Sequence, residues 1–152
     1  MRLTGMTVMR SRLRAIDKTL GIDYGWIGYR CVTQVGAIAL IREWYDGPNV
    51  MKNFKYMGVG TNSQAESSSD TSLLGEIAEA RNACTIYLMG GGNALSIIAE
   101  HTYTGIYTLR EHGVFNASVS GSLFDRTMFS SIIVGVGTVV EWTYEITAGY
   151  GG

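Results

Sequence analysis

Apolar and polar residues alternate over several short stretches of this chain, most clearly near its end. Val140, Trp142, Tyr144 and Ile146 interleave with Glu141, Thr143 and Glu145, and a period of two predicts a half-buried β-strand. Met9, Leu13 and Ala15 alternate with Arg10, Arg12 and Arg14, which predicts another strand with a basic outer face. "DKTLGIDYG" (17–25) supplies turn residues and "WIGYRCVT" (26–33) reads as a second strand, so the two form a hairpin with a long loop. One stretch has a helical period instead. Gly36 opens it, and Ala37, Leu40, Ile41 and Trp44 make one apolar stripe over residues 37–45 before Asp46-Gly47-Pro48 ends it. A helix this short is marginal alone, so it must pack on a sheet.

Further along, "FKYMGVGTNS" (54–63) starts as a strand and runs into the polar "TNSQAESSSDTS". With no apolar anchor, that loop is expected to face solvent or a contact partner. Ser69-Asp70 is placed to cap a short turn before Leu73 and Leu74. "ACTIYLM" and "ALSIIAEHTYT" flank "GGGN", a strong hairpin signal. "GIYTLR" makes a short strand that Glu111 and His112 end. Gly113 then allows a turn, and "GVFNAS" and "LFDRTMFSSIIV" flank "VSGS" as a further hairpin. "AGYGG" is a loose tail. The total is about eight or nine short strands with turns at sandwich or barrel spacing. The expected fold is mainly all-β: an antiparallel β-sandwich or jelly-roll-like domain with one short helix at about 37–45.

Composition sharpens this picture. The 152 residues suit a single domain, and 20 glycines against one proline favour strands joined by glycine turns. The net charge of −1 hides an asymmetry: residues 1–57 carry nine Lys and Arg with four acids, and residues 58–152 carry three with nine. A two-signed molecule can complement copies of itself or a charged lattice. No basic patch is dense enough to mark a nucleic-acid binder. The basic start lacks the apolar region of a secretory signal, and the longest apolar run, "AIALI", is too short to span a membrane. Cys31 and Cys84 have no CxxC spacing and are expected to be buried free thiols.

Candidate chemistry is thin. His101 and His112 lie on different expected elements, and neither they nor the cysteines have the spacing of metal ligands. Glu111 cannot orient His112, because neighbours on a strand point to opposite faces. Asp125 can approach His112 across a hairpin, but no serine stands on a strained elbow of the G-x-S-x-G kind. "GVGTNS" has a faint look of a phosphate-binding loop, yet lacks its Lys-Ser/Thr end. No catalytic residue, metal site or cofactor site is therefore assigned, and the chain is read as not an enzyme. A small cell-wall hydrolase relying on His112 is the contrary case.

With that pattern laid out, "FKYMGVGTNSQAESSSDTSLLGEI", "YTLREHGVFNASVSGSLFDRTMFSSI" and "VVEWTYEIT" resemble three segments of a family of small tailed-bacteriophage structural proteins. The likeness covers residues 36–147 and rests on the spacing of Glu111, His112, Gly113, Phe115, Asn116, Leu123, Arg126 and Phe129. The family's turn after "FNA" usually has two glycines, where this chain has Val119-Ser120-Gly121. Members are described as head decoration, head fibre, tail fibre or virion proteins. The resemblance implies a family-like core at 36–152, with residues 1–35 a strand pair or N-terminal attachment segment. It also implies a virion component on the capsid surface, assembled in the host cytoplasm, with the major capsid protein as partner and a homotrimer as its form. Nucleic acid, membrane and small-molecule substrates are not expected partners. Arg10, Arg12, Arg14 and Arg30 are the expected lattice contacts. The alternative is a tail or head fibre component in host attachment, with Tyr24, Trp26, Tyr29 and Tyr150 as an aromatic platform.

Overall fold

A computed structural model describes residues 8–29, 32–46 and 51–149. The alternating stretches form strands β1 (Val8–Asp17) and β2 (Ile22–Tyr29), followed by helix α1 (Gln34–Asp46) and β3 (Tyr56–Gly60). Then come β4 (Asn82–Ala83), β5 (Thr85–Met89), β6 (Ala94–Thr102), β7 (Tyr107–Phe115), β8 (Leu123–Val134) and β9 (Val139–Gly149). They build two antiparallel sheets, one in the order β2-β1-β9-β6-β5 and the other β4-β3-β7-β8. The protein is mainly β, a sandwich-like domain with one helix.

The strand with the cleanest alternation lies at the centre of the five-stranded sheet. β9 pairs with β1 along its whole length and with β6 on its other side. Its apolar set, Val140, Trp142, Tyr144 and Ile146, is buried, joined by Leu13 and Ala15 of β1 and Ile97 and Ala99 of β6. Met57, Val59, Val114 and Phe129 close the core from the other sheet. The Trp142 ring lies 5.5 Å from Phe129, and its indole N–H donates to the Tyr103 hydroxyl at 3.2 Å, which leaves no polar atom of that large ring unmet.

Several expectations needed correction. The Asp17–Gly25 turn is shorter, with Asp17 Oδ1 accepting from the amides of Thr19 and Leu20, both at 2.9 Å. α1 starts before Gly36, with Thr33 Oγ1 accepting from the Gly36 amide at 3.0 Å as an N-cap. Its buried side matches the expected stripe only at Leu40, which packs against the core. Gly36 and Ala39 face the sheet, Ala37 is exposed, and Ile41 is 69% exposed. The reason is close approach: a Cβ on Gly36 would lie 2.9 Å from the Phe124 ring, so the helix docks on its small residues. The Trp44 side chain and the Gly47-Pro48 stop lie outside the described residues. Gly113 makes no turn either, because β7 runs through it from Tyr107 to Phe115.

The polar loop after β3 is largely exposed, as expected, and it also folds back over the outer face of the four-stranded sheet as a partial third layer. Thr61 donates to the Gly75 carbonyl at 2.9 Å and Ile77 to that of Val59 at 3.1 Å. Leu73 is buried against Phe115 and Leu123, and the Gln34 amide bonds the Ser68 carbonyl at 2.8 Å. Glycines make room beneath it. A Cβ on Gly113 would lie 2.9 Å from each of Leu73, Leu123 and Phe115, and one on Gly60 would lie 2.6 Å from the Gly75 carbonyl oxygen. "GVG" is thus a bare track for the returning chain rather than a phosphate cradle.

Gly60→Ala is expected to cost about 1–3 kcal/mol in chemical denaturation, because backbone must shift to admit the methyl group. Gly135→Ala, whose Cβ meets nothing nearer than 4.0 Å, is the control and should stay within about 0.5 kcal/mol of the parent. Equal effects at the two sites would refute the close-approach account.

Candidate functional site

The polar residues that attracted attention in the sequence divide between the two faces of the β7–β8 hairpin. On the outer face, Arg126 is fully buried and its Nε donates to Glu111 Oε2 at 2.8 Å. Its other nitrogens reach Asp70 Oδ2 at 2.9 Å, the Gln64 carbonyl at 2.9 Å and the Ala65 carbonyl at 3.2 Å. Glu111, also fully buried, accepts from the amides of Gly75 at 2.6 Å and Leu74 at 3.2 Å. Its carboxylate reaches them over Gly60, its register partner on β3, where no side chain intervenes. One buried ion pair thus holds both ends of the polar loop. Arg81 adds a second tie. It pairs with Glu76 at 2.6 Å, lies 3.3 Å over the Phe115 ring, and donates to the carbonyls of Ala117 and Ser120. That turn puts Ser120 at φ 56° and Gly121 at φ 76°, both left-handed.

On the inner face, His112 is fully buried, 5.4 Å from the Trp142 ring, and neither ring nitrogen has a hydrogen-bond partner. Desolvation, with a smaller push from His101, lowers its pKa to about 3. Glu111 lies on the opposite face, as strand geometry requires. Asp125 shares the inner face but engages other groups. It accepts from Tyr144 Oη at 2.9 Å, Ser11 Oγ at 3.2 Å and Thr127 Oγ1 at 2.5 Å. These hydroxyls come from β9, β1 and β8, so the carboxylate ties the two sheets together. His101 stacks 5.6 Å from Tyr103, bonds the Ala80 carbonyl at 3.1 Å, and has its pKa lowered by burial. A neutral imidazole sealed in the core, with no hydroxyl on either nitrogen, is not arranged to take a proton from a nucleophile.

The basic stripe of β1 is where the alternation put it, but it is not bare. Arg12 pairs with Glu145 of β9 at 2.7 Å and lies 3.7 Å over the Trp26 ring. Arg14 pairs with Asp23 of β2, which raises the arginine's pKa and lowers the aspartate's. Arg10 is exposed and meets no carboxylate among the described residues, while Arg30 lies outside them. The residues of the candidate aromatic platform have different surroundings. Tyr29 is 60% exposed, Tyr24 packs against the core, Trp26 is half-buried under Arg12, and Tyr150 lies outside the described residues. Cys84 is a half-buried free thiol whose pKa burial raises to about 12, and Cys31 lies outside the described residues. Among the described residues no group of three or more His, Cys, Asp or Glu is placed to hold a metal, and no helix is long and apolar enough to cross a membrane.

The clasp was not foreseen from sequence. Its one signal is "LFDRTMF", where two charged residues interrupt a strand otherwise built for a core. Neighbours on a strand point oppositely, so Asp125 and Arg126 had to be buried on different faces. Comparison with protein-family models, with curated proteins and with solved structures finds no match.

Arg126→Met should cost about 3–5 kcal/mol, because it leaves the Glu111 carboxylate buried without its cation. Adding Glu111→Gln should recover part of that loss in a double-mutant cycle. Strictly additive single losses would contradict the clasp. A second expectation concerns acid. Between about 6.5, the ordinary histidine value, and about 3 for folded His112, only the unfolded chain binds this proton. Stability from this residue is therefore full above about 6.5 and lost as pH falls. The loss between pH 7.5 and pH 5 is about 2 kcal/mol. His112→Leu should flatten this acid limb in urea titrations, and an unchanged slope would reject the assignment.

Proposed function

We propose that this chain is a bacteriophage virion structural protein, a capsid decoration (cement) protein that binds the outer surface of the major capsid shell and stabilises it. One observation carries the reading: the residues of the phage-like motif work as architecture. Glu111 and Arg126 clasp the loop, Gly113 gives it room, and Phe115 and Leu123 receive Leu73. Asn116 Oδ1 accepts from the Ser122 amide at 2.7 Å to close the hairpin, and Phe129 packs on Trp142. His112, the group a hydrolase would need, is sealed among them. A motif that specifies a fold and a pinned surface loop suits a protein that works by repeated contact, where many modest contacts become firm through avidity.

Within this reading, the shell meets the β1–β2 face. Arg10 is open there, and the bridges of Arg12 and Arg14 are partly exposed and weak enough to be exchanged for contacts across an interface. Such charges set orientation and association rate more than affinity. Binding across neighbouring capsomers would resist internal DNA pressure.

Quantitative proteomics of purified particles tests this. Decoration requires on the order of hundreds of copies per virion, and association with emptied heads that weakens as salt rises. About a dozen or fewer copies would overturn decoration in favour of a tail or fibre component. Absence from particles would overturn both.

A further inference from the structure

The four edges of the two sheets are treated very differently. At one edge of the five-stranded sheet, β2 is irregular, with register shifts against β1, a left-handed Gly25 and the charged Asp23. In the four-stranded sheet, β4 has only two residues, and β8 is covered near its start by the Val32–Asp125 bridge and the Thr33 amide bonding the Phe124 carbonyl. Short edges, bulges, charges and covers are the usual protections against edge-to-edge pairing. β5 has none of them. It is the last strand of its sheet among the described residues, it reads Thr85-Ile86-Tyr87-Leu88-Met89, and all five residues are exposed. It contains no charge and no proline.

β5 is also apolar on both faces. Its register with β6 sets Ile86 opposite Ile97 and Leu88 opposite Leu95, so Ile86 and Leu88 share the core-facing side of the sheet. Leu88 is nevertheless 73% exposed. Beneath this side a mostly apolar groove of about 260 Å³ opens, lined by Met51, Lys52, Phe54, Ile86, Leu95 and Phe124. Tyr87 and Met89, on the other side, are about half exposed. A partner strand carrying charge would find no counter-charge on β5, so an uncharged apolar strand is the match.

We propose that β5 pairs with β5 of a second copy of this chain, antiparallel about a two-fold axis through Tyr87. The register is self-consistent. With Tyr87 facing its own copy, Ile86 meets Leu88 of the second copy and Leu88 meets its Ile86, all on the core-facing side. Thr85 meets Met89 of the second copy on the other side. A two-fold axis perpendicular to the sheet keeps like faces together, so the two sheets join into one continuous sheet. Each copy uses the same patch, which closes the assembly at two. A three-fold arrangement, the form expected from the resemblance, would need β5 to meet a different edge, so this pairing stands in place of the homotrimer. The pairing does not depend on where in a virion the protein acts.

Sedimentation of the full chain over a range of concentrations tests the proposal. The parent should sediment as a dimer, and Leu88→Lys, which puts a charge on the edge, should sediment as a monomer with an unchanged circular dichroism spectrum. Tyr87→Cys should form a dimer under oxidation that reductant dissolves, while the parent, with Cys31 and Cys84 only, should not. A parent that stays monomeric at high concentration would overturn the proposal. So would an oligomer indifferent to Leu88→Lys, or a Tyr87→Cys variant that fails to cross-link while still a dimer.

Discussion

The ion pair between Arg126 and Glu111 is the constraint on which the outer half of this structure depends. Both groups are fully buried, and two charges leave water at a cost of several kcal/mol each. That cost is offset only if the remaining donors and acceptors are met. Here they are met by Asp70, by the carbonyls of Gln64 and Ala65, and by the amides of Leu74 and Gly75. All of those partners belong to a loop with few apolar side chains of its own. The pair and the loop therefore require each other: the loop completes the coordination of the charges, and the charges give the loop a reason to lie on the sheet.

The same logic fixes the glycines. Glu111 can reach the Leu74 and Gly75 amides because Gly60 lies between them, and Leu73 can reach Phe115 and Leu123 because Gly113 lies beneath it. Inside the sandwich, the Asp125 carboxylate does the equivalent work with hydroxyls from β1, β8 and β9. Two adjacent residues thus organise two interfaces on opposite sides of one strand. Buried polar networks of this kind fix a single arrangement more than they add stability.

Strands whose pattern is local were legible in the sequence. β9, β1 and the β5–β6 hairpin follow from alternation and the "GGGN" turn, and the one helix follows from its period. What failed depends on contacts distant in sequence. Nothing local says that Gly113 continues a strand, since a glycine before an apolar pair reads as a turn until the returning loop is known. The helix face was misjudged because apolarity pointed to Ile41, whereas docking on Phe124 favours the small Gly36 and Ala39. The opposition of Glu111 and His112 across the strand was legible, because it needs only the period of two. Their separate fates were not, because the amides that Glu111 accepts from lie 37 and 36 residues away.

The polar loop is a clasped layer of the fold. Native-state hydrogen exchange at the amides of Leu74 and Gly75 tests it most directly. Their carboxylate acceptor is inside the protein, so they should exchange slowly, with protection approaching that of the β7 amides. Exchange of both at the rate of an open loop, while β7 stays protected, would contradict it.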